Sequence, residues 1–379
     1  MKIVKMKPTF YKIGMQIPVH VYRQTTNIIE RKSFCSLSSR CYTSTLLNPI
    51  YFPGLKNKNC KTLMFTQNLC QLVKDYCLSV QTLCKLWTGK FEAKGISEPQ
   101  MSAELIIAHV LGKKMIHEVS PNITCMLQIH EVSPNLLLKQ HFVSRIEDLC
   151  HQRLKRIPVQ YIIGEWDFQD LILKMREPVF IPRPETEELA DLVCDYIKSE
   201  HLTCGKFLDI GCGSGAISLY ILYKHTQMTG VAVDKHTYAC DLTLENANAL
   251  GLNGRLNIHQ LDIFQKETLS VLQPYLPFDV IVSNPPYIPT QKIKELDPEV
   301  NRFECNDALD GGEDGLNVVK HILMLAPHLL SKGGQMWLEV DLGEPDKIKT
   351  IVEDNKSIKY VKTYKDFTQR DRFCVLKVV

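Results

Sequence analysis

From residue 185 to the end, the chain alternates short apolar runs rich in β-branched residues with longer segments of helical periodicity. Such runs are typical of strands buried on both faces, and strands separated by helices are typical of a parallel sheet. The pattern therefore predicts an α/β domain with a doubly wound, mostly parallel sheet. The predicted strands are "KFLDIG", "GVAVDK", "LNIHQLD", "FDVIVSN", "GQMWLEV" and "FCVLKVV".

The N-terminal part of the chain differs in charge. Residues 1–74 hold 12 Lys and Arg residues against one acidic residue, which leaves 33 basic and 41 acidic residues in 75–379. A basic, hydroxyl-rich and almost acid-free composition is typical of an organelle-targeting leader. We expect residues 1–63 to be a disordered mitochondrial presequence and the protein to be mitochondrial. The alternatives are a disordered basic tail and an upstream stretch wrongly taken as coding.

Residues 64–152 have apolar side chains at helical spacing, as in "FTQNLCQLVKDYCLSVQTLCKLW" and "MSAELIIAHVLG", and this predicts a helical domain. Within it "IHEVSPN" occurs at 116–122 and again at 129–135. One pair of copies is too few for a repeat protein, so we interpret it as a local duplication that lengthens one connection.

Residues 157–182 change to a two-residue alternation with a polar break at Gln169 and Asp170, which predicts a β-hairpin. We place this hairpin in a linker of residues 153–184, between the helical domain and a sheet domain of residues 185–379.

Two classes of site are disfavoured by spacing. The fourteen cysteines form no C-x-x-C pair, and no H-x-x-x-H pair occurs, so we expect neither a disulfide framework nor a metal site. No run approaches the roughly 18 apolar residues of a membrane span, so we expect no membrane partner.

A glycine loop follows the first predicted strand of the sheet domain, in "LDIGCGSGAISLYIL" at 208–222. Glycines at Gly211, Gly213 and Gly215 would let a ligand approach bare backbone where the strand turns into a helix. The spacing also fits a dinucleotide fingerprint, so the loop alone does not choose the cofactor.

Carboxylates follow the next two strands, and their position suggests a nucleoside. Asp234 ends the second strand, where it could accept from both ribose hydroxyls. Asp262 ends the third and could accept from an adenine amino group, with Ile263 packed on the ring. Each carboxylate could instead be a helix cap or loop residue. Their register after successive strands favours nucleoside binding.

The fourth strand ends in "FDVIVSNPPYIP", residues 278–289. Proline donates nothing to a sheet, so the strand stops and Asn284 faces the ligand side. Pro286 holds Pro285 extended and aims its carbonyl oxygen. Together with the Asn284 side-chain carbonyl it could hold an NH₂ group on a planar system, covered by Tyr287. The alternative is a rigid turn without a ligand.

An amide or aromatic amino nitrogen is a weak nucleophile because its lone pair is delocalised. Two fixed acceptors raise its electron density and fix its direction of attack, so positioning and electrostatics would carry the catalysis. A sulfonium methyl group is the electrophile suited to it, and no conventional general base is needed.

These motifs resemble known families. "NPPY" with "DIGCGSG" resembles the class I S-adenosylmethionine-dependent amino-methyltransferases, whose fold is Rossmann-like. "VQYIIGEWDF", "FIPRPETEEL" and "ALDGGEDGL" make the chain similar to HemK/PrmC-type release factor glutamine methyltransferases, strongly over 157–379 and only in general character over 64–152. The resemblance implies N5-methylation of the glutamine in the Gly-Gly-Gln motif of a peptide chain release factor, supporting translation termination, with the helical domain docking that protein.

The resemblance also implies roles for individual residues. The glutamine amide would be held by the catalytic residues Asn284, Pro285 and Tyr287, and the substrate set adds Pro286, Arg183 and Glu185, with Phe180 of secondary rank. The chain departs from the family at Cys305, where proline is usual. The implied S-adenosylmethionine contacts are Asp209, Gly211, Cys212, Gly213, Ser214, Gly215, Asp234, Asp262, Ile263 and Asn284.

Three other functions account for part of the sequence. An adenine-N6 or cytosine-N4 methyltransferase of DNA or RNA would use the same NH₂ chemistry, but it needs a basic surface, and residues 75–379 have a net charge of −8. We therefore expect no nucleic-acid partner. A nicotinamide-dependent dehydrogenase leaves "NPPY" unexplained, and a binding protein without activity conflicts with its intact acceptors. We also expect a monomer.

Overall fold

The structure, a computed structural model, describes residues 79–113, 138–202 and 204–379, and all of these lie in one compact unit. The predicted leader at 1–63, the beginning of the helical domain and both copies of "IHEVSPN" lie outside the described residues. Within the described ranges, no helix has both the length and the apolar character needed to cross a membrane.

The N-terminal described region is helical, as its periodicity predicts. Apolar residues of α1 recur at three- and four-residue spacing, and its first turn is capped by the Ser79 side chain, which accepts from Thr82 N. This region has its own hydrophobic core, separate from those of the sheet. The core includes the fully buried side chains of Trp87, Phe91 and Ile106. The helices are α1 (Val80–Ala93), α2 (Pro99–Val110), α3 (Gln140–Leu154) and α4 (Val159–Ile163).

A β-hairpin follows, with strands β1 (Glu165–Phe168) and β2 (Leu171–Lys174) joined at the predicted turn. The prediction that strand alternation begins at 157 is wrong, because residues 159–163 form α4. Its buried residues at 159, 162 and 163 have helical spacing and pack into the helical core. Gly164, with a φ of 77°, ends the helix in the left-handed conformation.

A seven-stranded sheet is the centre of the described residues that follow the hairpin, and its spatial order is β10-β11-β9-β6-β3-β4-β5. Strands β5, β4, β3, β6 and β9 are parallel, whereas β11 is antiparallel to both of its neighbours. All six predicted strands are present, and β10 is an addition. The strands are β3 (Lys206–Ile210), β4 (Thr229–Asp234), β5 (Leu256–Gln260), β6 (Phe278–Ser283), β9 (Leu330–Glu339), β10 (Ile358–Lys365) and β11 (Asp371–Val378).

Helices cover the sheet on both faces. Successive residues of β3, Phe207 and Leu208, belong to two different hydrophobic clusters, as expected when side chains alternate across a strand buried on both faces. The mostly parallel, doubly wound prediction is therefore confirmed. The helices are α5 (Pro184–Ser199), α6 (Ala216–Lys224), α7 (Thr237–Ala249), α8 (Thr268–Leu272), α9 (Pro298–Phe303), α10 (Asn317–Leu329) and α11 (Glu344–Val352).

A small parallel pair, β7 (Ile288–Pro289) and β8 (Asp310–Gly312), lies just beyond the end of β6. It joins the "NPPY" segment to the "ALDGGEDGL" segment. The carboxyl ends of β3, β4, β6 and β9 meet at one edge of the sheet, and this edge holds the candidate site.

Candidate active site

A cavity of about 400 Å³ opens at the carboxyl ends of the parallel strands. Most of the predicted site residues line it, although Asp209, Gly215, Arg183 and Glu185 do not. The predicted residues in the lining are Phe180, Gly211, Cys212, Gly213, Ser214, Asp234, Asp262, Ile263, Asn284, Pro285, Pro286 and Tyr287.

The glycine loop forms one wall and is tied to the neighbouring strand β4. Gly211 N and Cys212 N both donate to Val233 O, at 2.8 and 3.1 Å, and Gly213 N donates to the Asp234 carboxylate at 3.0 Å. Gly211 and Gly213 have φ values of 77° and 57°, and a Cβ added to either would meet no atom within 4 Å. Glycine is thus required there by backbone conformation, and it leaves the approach to the loop open.

Gly215 serves a different purpose from the other two glycines. It is the N-cap residue of α6 and has a φ of 82°. A Cβ at this position would lie 2.9 Å from the Thr243 side chain. Its predicted cofactor contact stays a prediction. The conformation explains the residue without any ligand, because the loop must pack closely on α7.

Asp234 and Asp262 present carboxylates to the cavity. The Asp234 oxygens accept from Gly213 N and His236 N, each at 3.0 Å, and one Asp262 oxygen accepts from Phe264 N at 3.0 Å. Burial raises the Asp234 pKa, and the two backbone donors oppose that shift. A carboxylate has about four acceptor positions, so each retains capacity for a ligand hydroxyl or amino group.

An apolar wall stands beside these carboxylates. Ile263 is buried, and the half-exposed Phe264 ring stacks on His321 with 4.3 Å between ring centroids. Diol acceptors, an apolar surface for a base and an open glycine loop together fit the nucleoside part of S-adenosylmethionine.

Asp209 lies beneath the cavity. It is 1% exposed and accepts from Ser218 Oγ at 2.6 Å, which ties β3 to α6, and burial raises its pKa to about 7. The structure therefore assigns it a contact inside the protein, and its predicted cofactor contact stays a prediction.

Arg183 and Glu185 also contact protein groups. The Arg183 guanidinium lies 2.5 Å from a Glu304 carboxylate oxygen and 4.8 Å from the Phe180 ring centroid. Glu185 lies 3.7 Å from Arg370. Neither residue lines the cavity, although their chain neighbours Pro182 and Thr186 do, and their contact with substrate stays a prediction.

The predicted acceptors follow the end of β6. We call Asn284 Oδ1 and Pro285 O the acceptor pair, and residues 284–287 the acceptor segment. Ser283 Oγ donates to Ile210 O at 2.6 Å, which fixes this strand end against β3. Asn284 Nδ2 donates to Thr186 Oγ1 at 2.9 Å, and Thr186 Oγ1 donates to Glu339 Oε2 at 2.8 Å. Because its NH₂ group is engaged, the Asn284 amide turns its carbonyl oxygen the other way, where it can accept from a ligand.

Tyr287 is held by the same buried carboxylate. Its hydroxyl accepts from Arg372 at 2.7 Å and donates to Glu339 Oε1 at 3.4 Å, and the guanidinium lies 4.8 Å from the ring centroid. Burial and the Glu339 charge raise the Tyr287 pKa, so its hydroxyl stays protonated. The ring is thus fixed as a wall of the cavity.

The "ALDGGEDGL" segment packs on the "NPPY" backbone. A Cβ on Gly311 would lie 2.4 Å from Gly315 O and 2.8 Å from Pro286 O, and one on Gly315 would lie 2.6 Å from Tyr287 O. Ile288 N donates to Leu309 O at 2.9 Å and closes the contact. Two glycines therefore permit a backbone-to-backbone approach that holds the acceptor segment in place.

The cavity offers little for metal or thiol chemistry. Among the described residues no group of three or more His, Cys, Asp or Glu side chains could hold a metal ion, and the described cysteines are free. A hydrogen bond with Cys240 and burial raise the Cys212 pKa well above its usual range, so its thiol stays protonated. Cys305 Sγ lies 3.6 Å from His236 Nε2.

Thr186, Glu339 and Arg372 were not identified from sequence. Thr186 lies inside "FIPRPETEEL", but nothing local marks its hydroxyl as a partner of Asn284. Glu339 ends an apolar run, "GQMWLE", and a carboxylate at the end of a buried strand is the signal that marked Asp234. The same reasoning would have singled it out.

The chain matches two protein-family models and is similar to solved methyltransferase structures. Residues 187–299 match the model of the methyltransferase small domain and residues 82–164 match that of the PrmC N-terminal domain. A solved protein-(glutamine-N5) methyltransferase from Alicyclobacillus acidocaldarius is 22% identical, with 52% of this chain and 94% of that chain covered and a TM-score of 0.33.

Two curated relatives are more similar in sequence. The human MTRF1L release factor glutamine methyltransferase is 42% identical over 294 residues, which cover 76% of this chain and 84% of the relative. The release factor glutamine methyltransferase of Vibrio cholerae is 31% identical over 299 residues, with 78% and 95% covered. The chain therefore belongs to the release factor glutamine methyltransferase family.

Proposed function

We propose that this protein methylates the side-chain amide nitrogen of the glutamine in the Gly-Gly-Gln motif of a peptide chain release factor, with S-adenosylmethionine as methyl donor. The observation that carries the proposal is the orientation of Asn284. Its NH₂ group is held by Thr186, so its carbonyl oxygen is available to a ligand in the cavity that Pro285 also lines. An acceptor pair of this kind suits a primary amide, whose two N–H groups both need an acceptor.

The chain's own residues would hold the glutamine amide in position for methyl transfer. Asn284 Oδ1 and Pro285 O would each accept one N–H of the glutamine, and the fixed Tyr287 ring would cover its plane. Gly211, Asp234 and Asp262 would hold S-adenosylmethionine, which would supply an electrophilic methyl group with a neutral thioether as the leaving group. The methylated nitrogen releases one proton to water, so no side chain needs to act as a base.

We propose further that the helical residues up to 152 dock the release factor while the cavity receives its glutamine. The support is a buried contact between α9 and the end of α3, the helix that packs into the helical core. Glu299 of α9 lies 2.8 Å from Nη1 of Arg153, near the end of α3, and 2.8 Å from Nη2 of Arg156, just beyond that helix. Only 8% of Glu299 is exposed, so these charges hold α3 and α9 in one arrangement.

The proposal includes a monomer that works in mitochondria and does not bind nucleic acid. The balance of 33 basic against 41 acidic residues in 75–379 opposes a nucleic-acid surface, and the basic composition of residues 1–74 supports mitochondrial import. The alternative substrate, a nucleobase amino group, would fit the acceptor pair but lacks this support.

The deciding experiment is mass spectrometry of candidate release factors after incubation with the full chain and S-adenosylmethionine. We expect one methyl group on the glutamine of Gly-Gly-Gln. A matched Gly-Gly-Asn variant shortens the reach by one methylene, and a misplacement of about 1 Å lowers rates about 10²-fold, so it should gain far less. Methylation of adenine or cytosine in naked DNA or RNA, with the release factor untouched, would contradict the substrate assignment.

Import is tested separately with residues 1–74 fused to a fluorescent reporter. We expect mitochondrial fluorescence, and we expect it to be lost when the basic residues of the same segment are replaced by Gln. A diffuse signal from the unmodified fusion would leave the segment as a basic tail.

A further inference from the structure

We infer that Glu339 is a positioning residue whose charge, transmitted through the Thr186 hydroxyl, decides which end of the Asn284 amide faces the substrate. The inference rests on the proposed function and deepens it, since it names what sets the acceptor pair in its working orientation. The three side chains form one continuous chain of hydrogen bonds, from Glu339 Oε2 through Thr186 Oγ1 to Asn284 Nδ2, at 2.8 and 2.9 Å.

The direction of this chain follows from the protons that each group carries. A carboxylate can only accept, so the single hydroxyl proton of Thr186 must point at Glu339. The Thr186 oxygen is then an acceptor toward Asn284 and selects the NH₂ end of its amide. Asn284 Oδ1 is left facing the cavity, where a glutamine N–H can reach it.

A neutral Glu339 would reverse the chain. A protonated carboxyl can donate to Thr186, and the Thr186 proton then turns toward Asn284 and selects the amide oxygen. The amide rotates by half a turn and presents its NH₂ group to the NH₂ group of the substrate. Two donors cannot bond each other, so this state lacks one of the two acceptors.

The surroundings of Glu339 make both charge states accessible. Arg372 lies 3.5 Å from Glu339 Oε1 and favours the charged form, although its other nitrogen lies 3.5 Å from Asp341. The Tyr287 hydroxyl, from the segment that follows β6, lies 3.4 Å from Glu339 Oε1, and Glu185 on α5 adds a like charge.

Together these groups place the protonation of Glu339, and with it the reversal of the hydrogen-bond chain, near neutral pH. Glu339 is fully buried, and burial raises its pKa to about 7 against the opposing effect of Arg372. The neutral form therefore grows as pH falls through about 7, so kcat should fall on the acid side and reach a plateau on the alkaline side.

Four variants test the chain of hydrogen bonds against the wild-type pH profile of kcat. In Glu339→Gln the side-chain oxygen stays with Arg372 and Tyr287, and its NH₂ group donates to Thr186, which mimics the neutral acid. We expect kcat about 10²-fold below the wild-type plateau at every pH, with no acid-side fall. Thr186→Val should lose kcat similarly, whereas Thr186→Ser keeps the hydroxyl and should rescue both kcat and the pH profile.

Glu344→Gln is the matched control. Glu344 is also buried with a pKa raised to about 7, but it accepts from Asp341 N and has no part in the chain to Asn284. This variant should keep the acid-side fall. A wild-type plateau in Glu339→Gln, or an acid-side fall that persists in it, would overturn the inference. KM for the release factor and the affinity for S-adenosylmethionine should change by less than about threefold in every folded variant.

A measurement without substrate separates this inference from the proposed function. The Asn284 side-chain NH₂ signal in a ¹H–¹⁵N spectrum of the free protein should shift with a midpoint near the kcat midpoint, and it should not titrate in Glu339→Gln. A wild type that leaves release factors unmethylated would contradict the proposed function alone. An NH₂ signal that is independent of pH in the wild type would contradict the hydrogen-bond chain alone.

Discussion

The two halves of the cavity are built in different ways. In the cofactor half, Gly213 and Asp234 are hydrogen-bonded across 21 positions of sequence, and the parts lie at the ends of successive strands. In the acceptor half, Asn284 is bonded to Thr186 across 98 positions, and Thr186 to Glu339 across 153. The first half is assembled locally, and the second only when the whole sheet and α5 are in place.

Because of this difference, substitutions in the two halves should affect different measured quantities. A change in the cofactor half should weaken binding of one ligand and leave the acceptors in place. A change in the acceptor half should lower kcat even when it is far from Asn284 in sequence, because several segments share the task of holding one amide and one carbonyl. The following variants test this contrast.

The largest effect is expected for Asn284→Ala, which removes one of the two acceptors at the nitrogen. Loss of one fixed partner of this kind lowers kcat by roughly 10²–10³-fold. Steady-state kinetics with a Gly-Gly-Gln release factor measures the loss, and Asn253→Ala, an exposed asparagine, serves as control. Turnover near that of wild type would contradict the acceptor role.

Next in size is Asp234→Ala in the cofactor half. Removal of a charged acceptor for ribose hydroxyls costs roughly 1.5–3 kcal/mol, which corresponds to about 10–150-fold in Kd. Calorimetric titration should show the loss for S-adenosylmethionine and for its demethylated product alike, while Asp241→Ala, an exposed residue of α7, should bind normally. A loss of kcat at saturating cofactor, with Kd unchanged, would erase the contrast between the halves.

A smaller effect is expected for Gly311→Ala. The new Cβ would press on Gly315 O and Pro286 O, so the acceptor segment must shift by a few tenths of an ångström, and kcat should fall about tenfold. Gly254→Ala is the matched control, because neither glycine has a positive φ and Gly254 has no atom within 4 Å of the added Cβ. Equal kcat for the two variants would show that the "ALDGGEDGL" segment does not hold the acceptors.

The smallest effect is a shift in the pH profile. The negative charge of Glu185 raises the Glu339 pKa, so Glu185→Gln should lower that pKa and move the acid-side midpoint of kcat downward by less than about one pH unit. Glu200→Gln, beyond the other end of α5, should leave the midpoint unchanged. A midpoint that moves upward would contradict the sign of this interaction.

The strands and the glycine loop could be predicted because their signals are local. An apolar run such as "FDVIVS" identifies a buried strand by itself, and Gly211 and Gly213 follow such a run directly. The prediction failed at 159–163, where a short amphipathic helix and an alternating strand share a similar pattern, and packing against the helical core decides between them. The third glycine, Gly215, shows the same limit, since only its distance to Thr243 reveals its packing.

By itself, the sequence determined the type of chemistry in this protein. Two prolines after an asparagine at a strand end fix the backbone that carries the Pro285 carbonyl and the Asn284 side chain, because proline restricts its own φ and the residue before it. Only the tertiary structure decided which way the Asn284 amide points. An amide has a donor end and an acceptor end of nearly equal size, and the choice depends on the proton of Thr186 and the charge of Glu339, which the fold brings together from distant parts of the chain.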